Sequence, residues 1–158
     1  MKEEYKRLPL RSGVGIILLN KENKIFVAKR IDNPKNFWQM PQGGVDKNEK
    51  YYEAALRELK EETSVNSVEF IKKIDKKLTY ILPDHLIGII WKGRFKGQTQ
   101  KWFVLRFTGN DSEININTKK PEFLDWKWIN LEDLTKIAVN FKLEVYKSIK
   151  QEVSKILS

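Results

Sequence analysis

The chain has no cysteine and one histidine. Without thiols it cannot form disulfides, thiolate metal centres or a thiol nucleophile. The single histidine, His85, sits in a loop-like "LPDH" with no partner motif and reads as a structural or solvated side chain. Long apolar runs are missing too: the longest, Val14 to Leu19, is broken by Gly15 and is far shorter than the roughly 20 residues that cross a bilayer. The opening residues, "MKEEYKRLPLRSG", lack the apolar stretch of a secretory signal, so a cytoplasmic protein with no membrane attachment is expected. No internal repeat or low-complexity linker divides the 158 residues, which suit one domain spanning 1–158. Acid is scarce overall, with 21 Asp and Glu against 30 Lys and Arg and a net charge of +9. That balance favours a polyanionic partner through phosphate contacts and counterion release, although a merely solvated basic surface gives the same total.

What is present begins with two β-rich runs, Gly13 to Leu19 and Ile25 to Arg30, around the polar turn "NKENK"; they predict a hairpin. "DNPKN", residues 32–36, then breaks the chain. Tyr52, Ala55, Leu56, Leu59 and Thr63 recur at helical spacing, which predicts an amphipathic helix over Lys50 to Thr63 with Asn48 as its N-cap. Between Val68 and Phe107, "VEFIKKI", "LTYIL", "HLIGIIW" and "KWFVLRF" read as strands, and "FLDWKWI" adds another. Trp102, Trp126 and Trp128 alternate with polar residues in those strands and are expected in the core. Phe141, Val145, Ile149, Val153 and Ile156 or Leu157, in steps of three or four, mark a long C-terminal helix that packs on the body. This order predicts an α/β (α+β) fold with a mixed sheet between helices.

Against the basic background, the predicted helix gathers acid. Glu58, Glu61 and Glu62 fall within about 100° on the helical wheel, beside the stripe of Ala55, Leu56 and Leu59. Arg57, four residues before Glu61, can pair with it. The run "RELKEE" also suits a solvated helix laced with such pairs. Carboxylates about 4 Å apart at an effective dielectric near 20 repel by roughly 4 kcal/mol per pair, however, which raises a pKa unless a cation intervenes. With oxygen donors alone the cation should be hard, Mg²⁺ or Mn²⁺, of the kind held by carboxylates together with substrate phosphates.

The spacing is more specific than the chemistry. Gly43, five residues, Glu49, seven residues, then "RELKEET" from Arg57 resembles the Nudix box, G-x5-E-x7-R-E-U-x-E-E-x-G-U with U aliphatic. Gly43, Glu49, Arg57, Glu58, Leu59, Glu61, Glu62 and Val65 match; Ser64 replaces the second glycine, which puts the shape of the helix-ending turn in question. Outside the box, "RSGVGIILLN", "WQMPQGGV", "GQTQKWFVLRF", "EIN", "PEFLDWKWI" and "VNFKLEVYKSI" resemble the bacterial RNA pyrophosphohydrolase subgroup and the similar dinucleoside polyphosphate hydrolases.

The resemblance implies a Nudix α/β/α sandwich and a hydrolase that drives water onto a polyphosphate with two or three Mg²⁺ (or Mn²⁺) ions. By similarity Gly43, Glu58, Glu61, Glu62 and Glu122 look like the metal site, with Arg57 in the catalytic box and Glu49 its stabiliser. Glu58 or Glu122 would orient or deprotonate the water. Arg11, Lys29 and Arg30 match basic positions near phosphates or first bases, and Trp38, Gln39, Tyr80, Gln98, Lys101, Val139, Phe141 and Lys142 match positions near the substrate. Phe141 could stack on a base, and Trp38 and Phe141 would serve equally as core. The implied substrate is 5′-triphosphorylated RNA or a dinucleoside polyphosphate such as diadenosine tetraphosphate. A catalytically inactive nucleotide or RNA sensor is a third reading.

Overall fold

A computed structural model describes residues 1–32 and 35–158, so the centre of the expected "DNPKN" break, residues 33 and 34, lies outside the described residues. After a one-turn helix, α1 (Glu3–Lys6), come β1 (Leu10–Leu19), β2 (Ile25–Arg30), β3 (Gln42–Gly44), α2 (Tyr51–Thr63), β4 (Val68–Lys73) and β5 (Leu78–Ile81). Then follow α3 (Asp84–Ile87), β6 (Gly97–Phe107), β7 (Phe123–Ile129) and α4 (Leu143–Leu157). The hairpin forms as expected, with Leu19 opposite Ile25. The sheet runs β4-β6-β1-β2-β7, with β3 paired to β1 and β5 to β6. It is mixed because β1 and β6 lie parallel along their whole length, Leu10 beside Gly97 to Leu19 beside Arg106, whereas the other pairs are antiparallel.

Strand alternation divides the apolar residues between two layers. Ile17, Leu19, Val27, Trp102 and Val104 pack under α4, which contributes Val145, Tyr146, Ile149 and Val153. Ile16, Leu18, Phe26, Phe103 and Leu105 face the opposite way, onto Ala54, Ala55 and Leu59 of α2. The two small alanines let α2 approach the sheet closely, and this α/β/α arrangement is the expected sandwich.

Four local expectations are corrected. "HLIGIIW" is not a strand but α3 and a 3₁₀ turn over Ile90–Gly93, with Pro83 at the N-cap of α3 and Trp91 and Lys92 at positive φ. Ile87 is buried and Leu86, Ile90 and Trp91 pack on one end of the core, so a run with strand-like composition has no sheet position to fill. Asn48 does not cap α2: it sits at φ 67, and the extended Lys50 precedes the helix. Phe141 belongs to a 3₁₀ turn, Asn140–Lys142, that leads into α4. Of the three tryptophans, Trp102 is fully buried, but Trp126 and Trp128 are half-buried at the sheet margin, where they pack on Phe26 and Phe107.

Candidate active site

The acidic side begins with Arg57, which projects from α2 and gathers the box around its guanidinium. Nε and Nη2 donate to the two Glu49 oxygens at 2.8 and 2.9 Å, Nη1 to Glu58 at 2.9 Å and Glu61 at 3.3 Å, and Nη2 also to the Gly44 carbonyl at 2.9 Å. A planar fork with several N–H donors can do this; an ammonium cannot. The Arg57 bonds hold the Glu49 carboxyl down at about 2, and Glu49 accepts the Asp46 amide as well. Glu49 is therefore tied to the expected partner. The same α2 turn ends at Ser64, whose φ of 67 is the left-handed conformation that glycine usually supplies. Its amide donates to the Lys60 carbonyl at 2.9 Å and its hydroxyl to the Asn115 carbonyl at 2.8 Å, so the turn keeps its shape without the glycine.

One carboxylate escapes Arg57. Glu62 is only 3% exposed, and among the described residues its Oε2 has no hydrogen-bond partner. Burial, reinforced by Glu122 and Glu58, pushes its carboxyl well above the ordinary range, with Arg30 pulling the other way. Burial also raises Glu58, against the opposing pull of Arg57. Glu122 precedes β7, and its carbonyl accepts the Ile31 amide at 2.9 Å, which sets that loop beside the end of β2. Gly43 lies against the Glu58 carboxyl so closely that a Cβ there would overlap it. Glu61 is exposed. Among the described residues no three His, Asp or Glu side chains already close on one point as a finished metal cage. Glu58 is turned toward Arg57 instead. The donor set nevertheless fits a hard divalent ion: it is all oxygen, and it contains a buried carboxylate with an unpaired oxygen and raised by its neighbours.

The basic side lies across the end of the sheet. Arg30 grips Asp32 through two bonds of 2.7 and 2.8 Å, which raises the guanidinium and lowers the carboxyl, and it feels the charges of Glu122 and Glu62. Lys142 is buried, with Nζ 3.3 Å from Gln39 Oε1; burial and the nearby Arg30 bring it down to about 7. Its ammonium lies over the rings of Tyr80 and Phe141, which are themselves 5.7 Å apart. Arg11 and Arg30 both act on the Tyr80 hydroxyl, and Gln42 donates to that hydroxyl at 3.1 Å.

Of the residues expected near substrate, Arg11, Arg30, Gln39, Tyr80, Gln98, Phe141 and Lys142 thus share one neighbourhood. Trp38 and Lys29 form its rim: the Lys29 and Lys127 ammoniums lie 4.8 and 4.2 Å from the half-buried indole ring. Val139 opens the 3₁₀ turn that carries Phe141 and Lys142. Lys101 is not with the others. Alternation along β6 sends it to the α2 face, 4.1 Å from the Tyr51 ring, whereas Gln98, Gln100 and Trp102 face α4. His85 is exposed on α3, as a solvated residue should be. The residues that sequence reasoning missed are Asp32, Gln42, Gln100 and Lys127. The one usable signal was "QTQKW", polar side chains at every second position leading into a buried strand.

A parallel-paired mixed sheet between two helices, with a Gly-x5-Glu-x7-Arg-Glu box folded around one arginine, defines a class. The NUDIX domain profile matches residues 9–149, and the chain belongs to the Nudix family. It is a hydrolase of that family, acting on phosphoanhydride bonds, and such enzymes generally use divalent metal ions. Among curated relatives, the RNA pyrophosphohydrolase of Pelagibacter ubique is 61% identical over 158 residues, covering 100% of both chains. That of Wolbachia pipientis is 47% identical over 148 residues, 93% of this chain and 91% of the other. Solved structures agree in fold: a C. elegans Ap4A hydrolase superposes with TM-score 0.67 at 21% identity over 92% of this chain and 99% of that one. The E. coli dihydroneopterin triphosphate pyrophosphohydrolase reaches 0.70 at 18% identity, over 91% and 99%. Among the described residues no helix is long and apolar enough to cross a membrane.

Proposed function

We propose that this chain is an RNA 5′-pyrophosphohydrolase that acts in the cytoplasm, as one domain, on 5′-triphosphorylated RNA. It removes pyrophosphate, or phosphates one at a time, and leaves a monophosphate end open to 5′-end-dependent decay. The observation that carries the reading is the buried Glu62 carboxylate with its unpaired oxygen, within electrostatic reach of Arg30 and acting in turn on Lys142. An anionic metal pocket thus adjoins a cationic cleft, the arrangement a polyphosphate on a metal requires. The full-length likeness to relatives named RNA pyrophosphohydrolase supports RNA as the substrate.

Glu58, Glu61, Glu62 and Glu122, with the Gly43 carbonyl, would hold two to three Mg²⁺ or Mn²⁺ ions. Once bound, such ions lower the pKa of water and neutralise charge on the phosphates. The chain's own groups do the rest. Arg57 fixes Glu58 and Glu61 at one end of α2. Arg11, Arg30 and Lys142 attract the phosphates, and the Tyr80–Phe141 ring pair offers a face for a base, where stacking contributes roughly 1–3 kcal/mol. Glu58 or Glu122 orients the attacking water.

The test is turnover of 5′-triphosphorylated RNA against diadenosine tetraphosphate with Mg²⁺, compared as kcat/KM. A higher value for RNA is expected. A higher value for the dinucleotide would reassign the substrate, and turnover of neither would leave a sensor.

A further inference from the structure

Under the cleft runs a chain of side-chain amides. Trp102 Nε1 donates to Gln100 Oε1 at 3.0 Å, and Gln100 Nε2 donates to Gln98 Oε1 at 2.7 Å and to Gln42 Oε1 at 3.2 Å. Gln42 Nε2 then donates to the Tyr80 hydroxyl at 3.1 Å. Trp102, Gln98 and Gln100 are fully buried, and Gly13 beneath them leaves room for the Gln98 amide, which a Cβ at 13 would overlap.

An amide can point either way, and its network decides which end is oxygen. An indole N–H cannot: it only donates. The Trp102 N–H therefore compels Gln100 to turn its oxygen inward, and both Gln100 hydrogens then go outward, one to each neighbour. Gln98 and Gln42 must accept them. Their own N–H₂ groups are left facing away from Gln100, that of Gln42 toward Tyr80 and that of Gln98 buried and without a partner among the described residues. Tyr80 accepts from Gln42, so its hydroxyl hydrogen is free for an acceptor outside the network. Burial raises Tyr80, which keeps that hydrogen in place at any pH near neutral.

We propose that Trp102 is a positioning residue whose indole N–H sets the direction of the whole network, so that the Tyr80 hydroxyl, already accepting from Gln42, has its hydrogen left to donate to the ligand. Such a donor selects hydrogen-bond acceptors, the non-bridging oxygens of a phosphate chain. It also rejects ligand groups that donate. The inference rests on the reading that the cleft binds the polyphosphate end of an RNA.

Three variants test it. Trp102→Phe keeps an aromatic ring and removes the N–H, releasing Gln100 to flip. Gln42→Glu, at a half-buried position, still accepts from Gln100 but now accepts the Tyr80 hydrogen too, turning it away from the ligand. Tyr80→Phe removes the hydroxyl. On 5′-triphosphorylated RNA with Mg²⁺, Trp102→Phe and Gln42→Glu should each raise KM about 10-fold, one charge-assisted hydrogen bond, with kcat within about 3-fold. The Gln42→Glu effect should disappear when Tyr80→Phe is already present. An unchanged KM in folded Trp102→Phe overturns the proposal. So does a Gln42→Glu penalty that persists in the Tyr80→Phe background, since that is charge repulsion alone.

A second measurement needs no substrate. In ¹⁵N spectra the side-chain amides of Gln42 and Gln98 should be single and sharp in the parent chain and doubled or broadened in Trp102→Phe, as both orientations become populated. Unaltered amide signals overturn the proposal even if RNA proves not to be the substrate. Failure of the parent chain to hydrolyse RNA, with the amide signals doubling as expected, would instead sink the functional reading and leave the network standing.

Discussion

Replacing Glu62 by Gln should stabilise the metal-free protein while disabling it. The carboxylate is 3% exposed, one oxygen is unpaired, and Glu122 and Glu58 add like charge. An amide removes the charge, and its N–H₂ can donate to either neighbouring carboxylate. Relief of one buried, unsatisfied group is worth about 1–3 kcal/mol, which for a chain of this length moves Tm upward by roughly 2–12 °C. The sign with pH follows from the raised carboxyl. Below the unfolded value near 4.5, Glu62 is neutral in both states and costs nothing; as pH climbs through the raised folded value, the native state must ionise it and stability falls. The advantage of Glu62→Gln should therefore be near zero at pH 4.5 and grow toward pH 8. Magnesium offsets that advantage. At 100 times its dissociation constant a native-state ligand contributes about 2.7 kcal/mol, so the parent chain gains roughly 5–11 °C and the variant little. Turnover should drop by about 10³-fold, the scale of losing one preorganised charge. Thermal melts at pH 5 and 8, with EDTA or with Mg²⁺, decide the matter. A lower Tm for Glu62→Gln in EDTA at pH 8, or an undiminished Mg²⁺ shift, would refute the reasoning.

Other outcomes follow from single contacts. Gly43→Ala should cut kcat by about 10-fold or more with Tm changed by only a few degrees, because the new Cβ overlaps the Glu58 carboxyl and a side-chain end can move aside without unfolding anything. Ser64→Gly should leave Tm within about 3 °C and activity unchanged: relief of the left-handed strain, about 1 kcal/mol, offsets the lost bond to the Asn115 carbonyl. Lys142 is held near 7 when folded against 10.5 in its ordinary state, so between those values the unfolded chain binds more protons and stability rises with pH. Melts of Lys142→Met should accordingly show higher stability than the parent at pH 6, by about 1–3 kcal/mol, and an advantage that shrinks by pH 10.

What the sequence disclosed was whatever period and spacing encode. The α2 stripe of Ala55 and Leu59 and the alternation in β1 and β6 each place apolar residues on one face, and the layers formed accordingly. "HLIGIIW" was misleading because apolar β-branched residues fill a core margin as readily as a strand, and only the left-handed backbone at Trp91, Lys92 and Gly93 tells them apart. Asn48 looked like a cap by residue type, but the box spends its local bonds on Glu49 and Arg57, and no side chain caps the helix. β3 is three residues with two glycines, too short and bland to register. Within the site, Arg57 met Glu61, four residues on, as their spacing implied, and Glu49 as the box pattern implied. Gln42 and Gln100 were illegible because their role depends on a hydrogen-bond direction imposed by Trp102, and direction is a property of the assembled network.

Most charged groups of the site are paired with one another before any ligand arrives, and this explains why acid is concentrated in a basic chain. Arg57 occupies Glu49, Glu58 and Glu61; Asp32 occupies Arg30. The two buried groups left over, Glu62 and Lys142, are each driven toward neutrality by desolvation, one upward and the other downward. On the proposed reading a divalent ion restores the charge of Glu62 and a phosphate restores that of Lys142. Neither gains its full interaction alone, since a cation entering by itself faces Arg30 and Lys142, and an anion entering by itself faces Glu62 and Glu122. Each ligand removes the repulsion met by the other, so their affinities must be coupled, and linkage makes the coupling equal in both directions. Titration of Mg²⁺ with and without a non-hydrolysable triphosphate, and the converse titration, should return the same ratio above one. A ratio of one would mean that the acidic and basic halves of the cleft act independently, and charge balance would not be the reason they lie together.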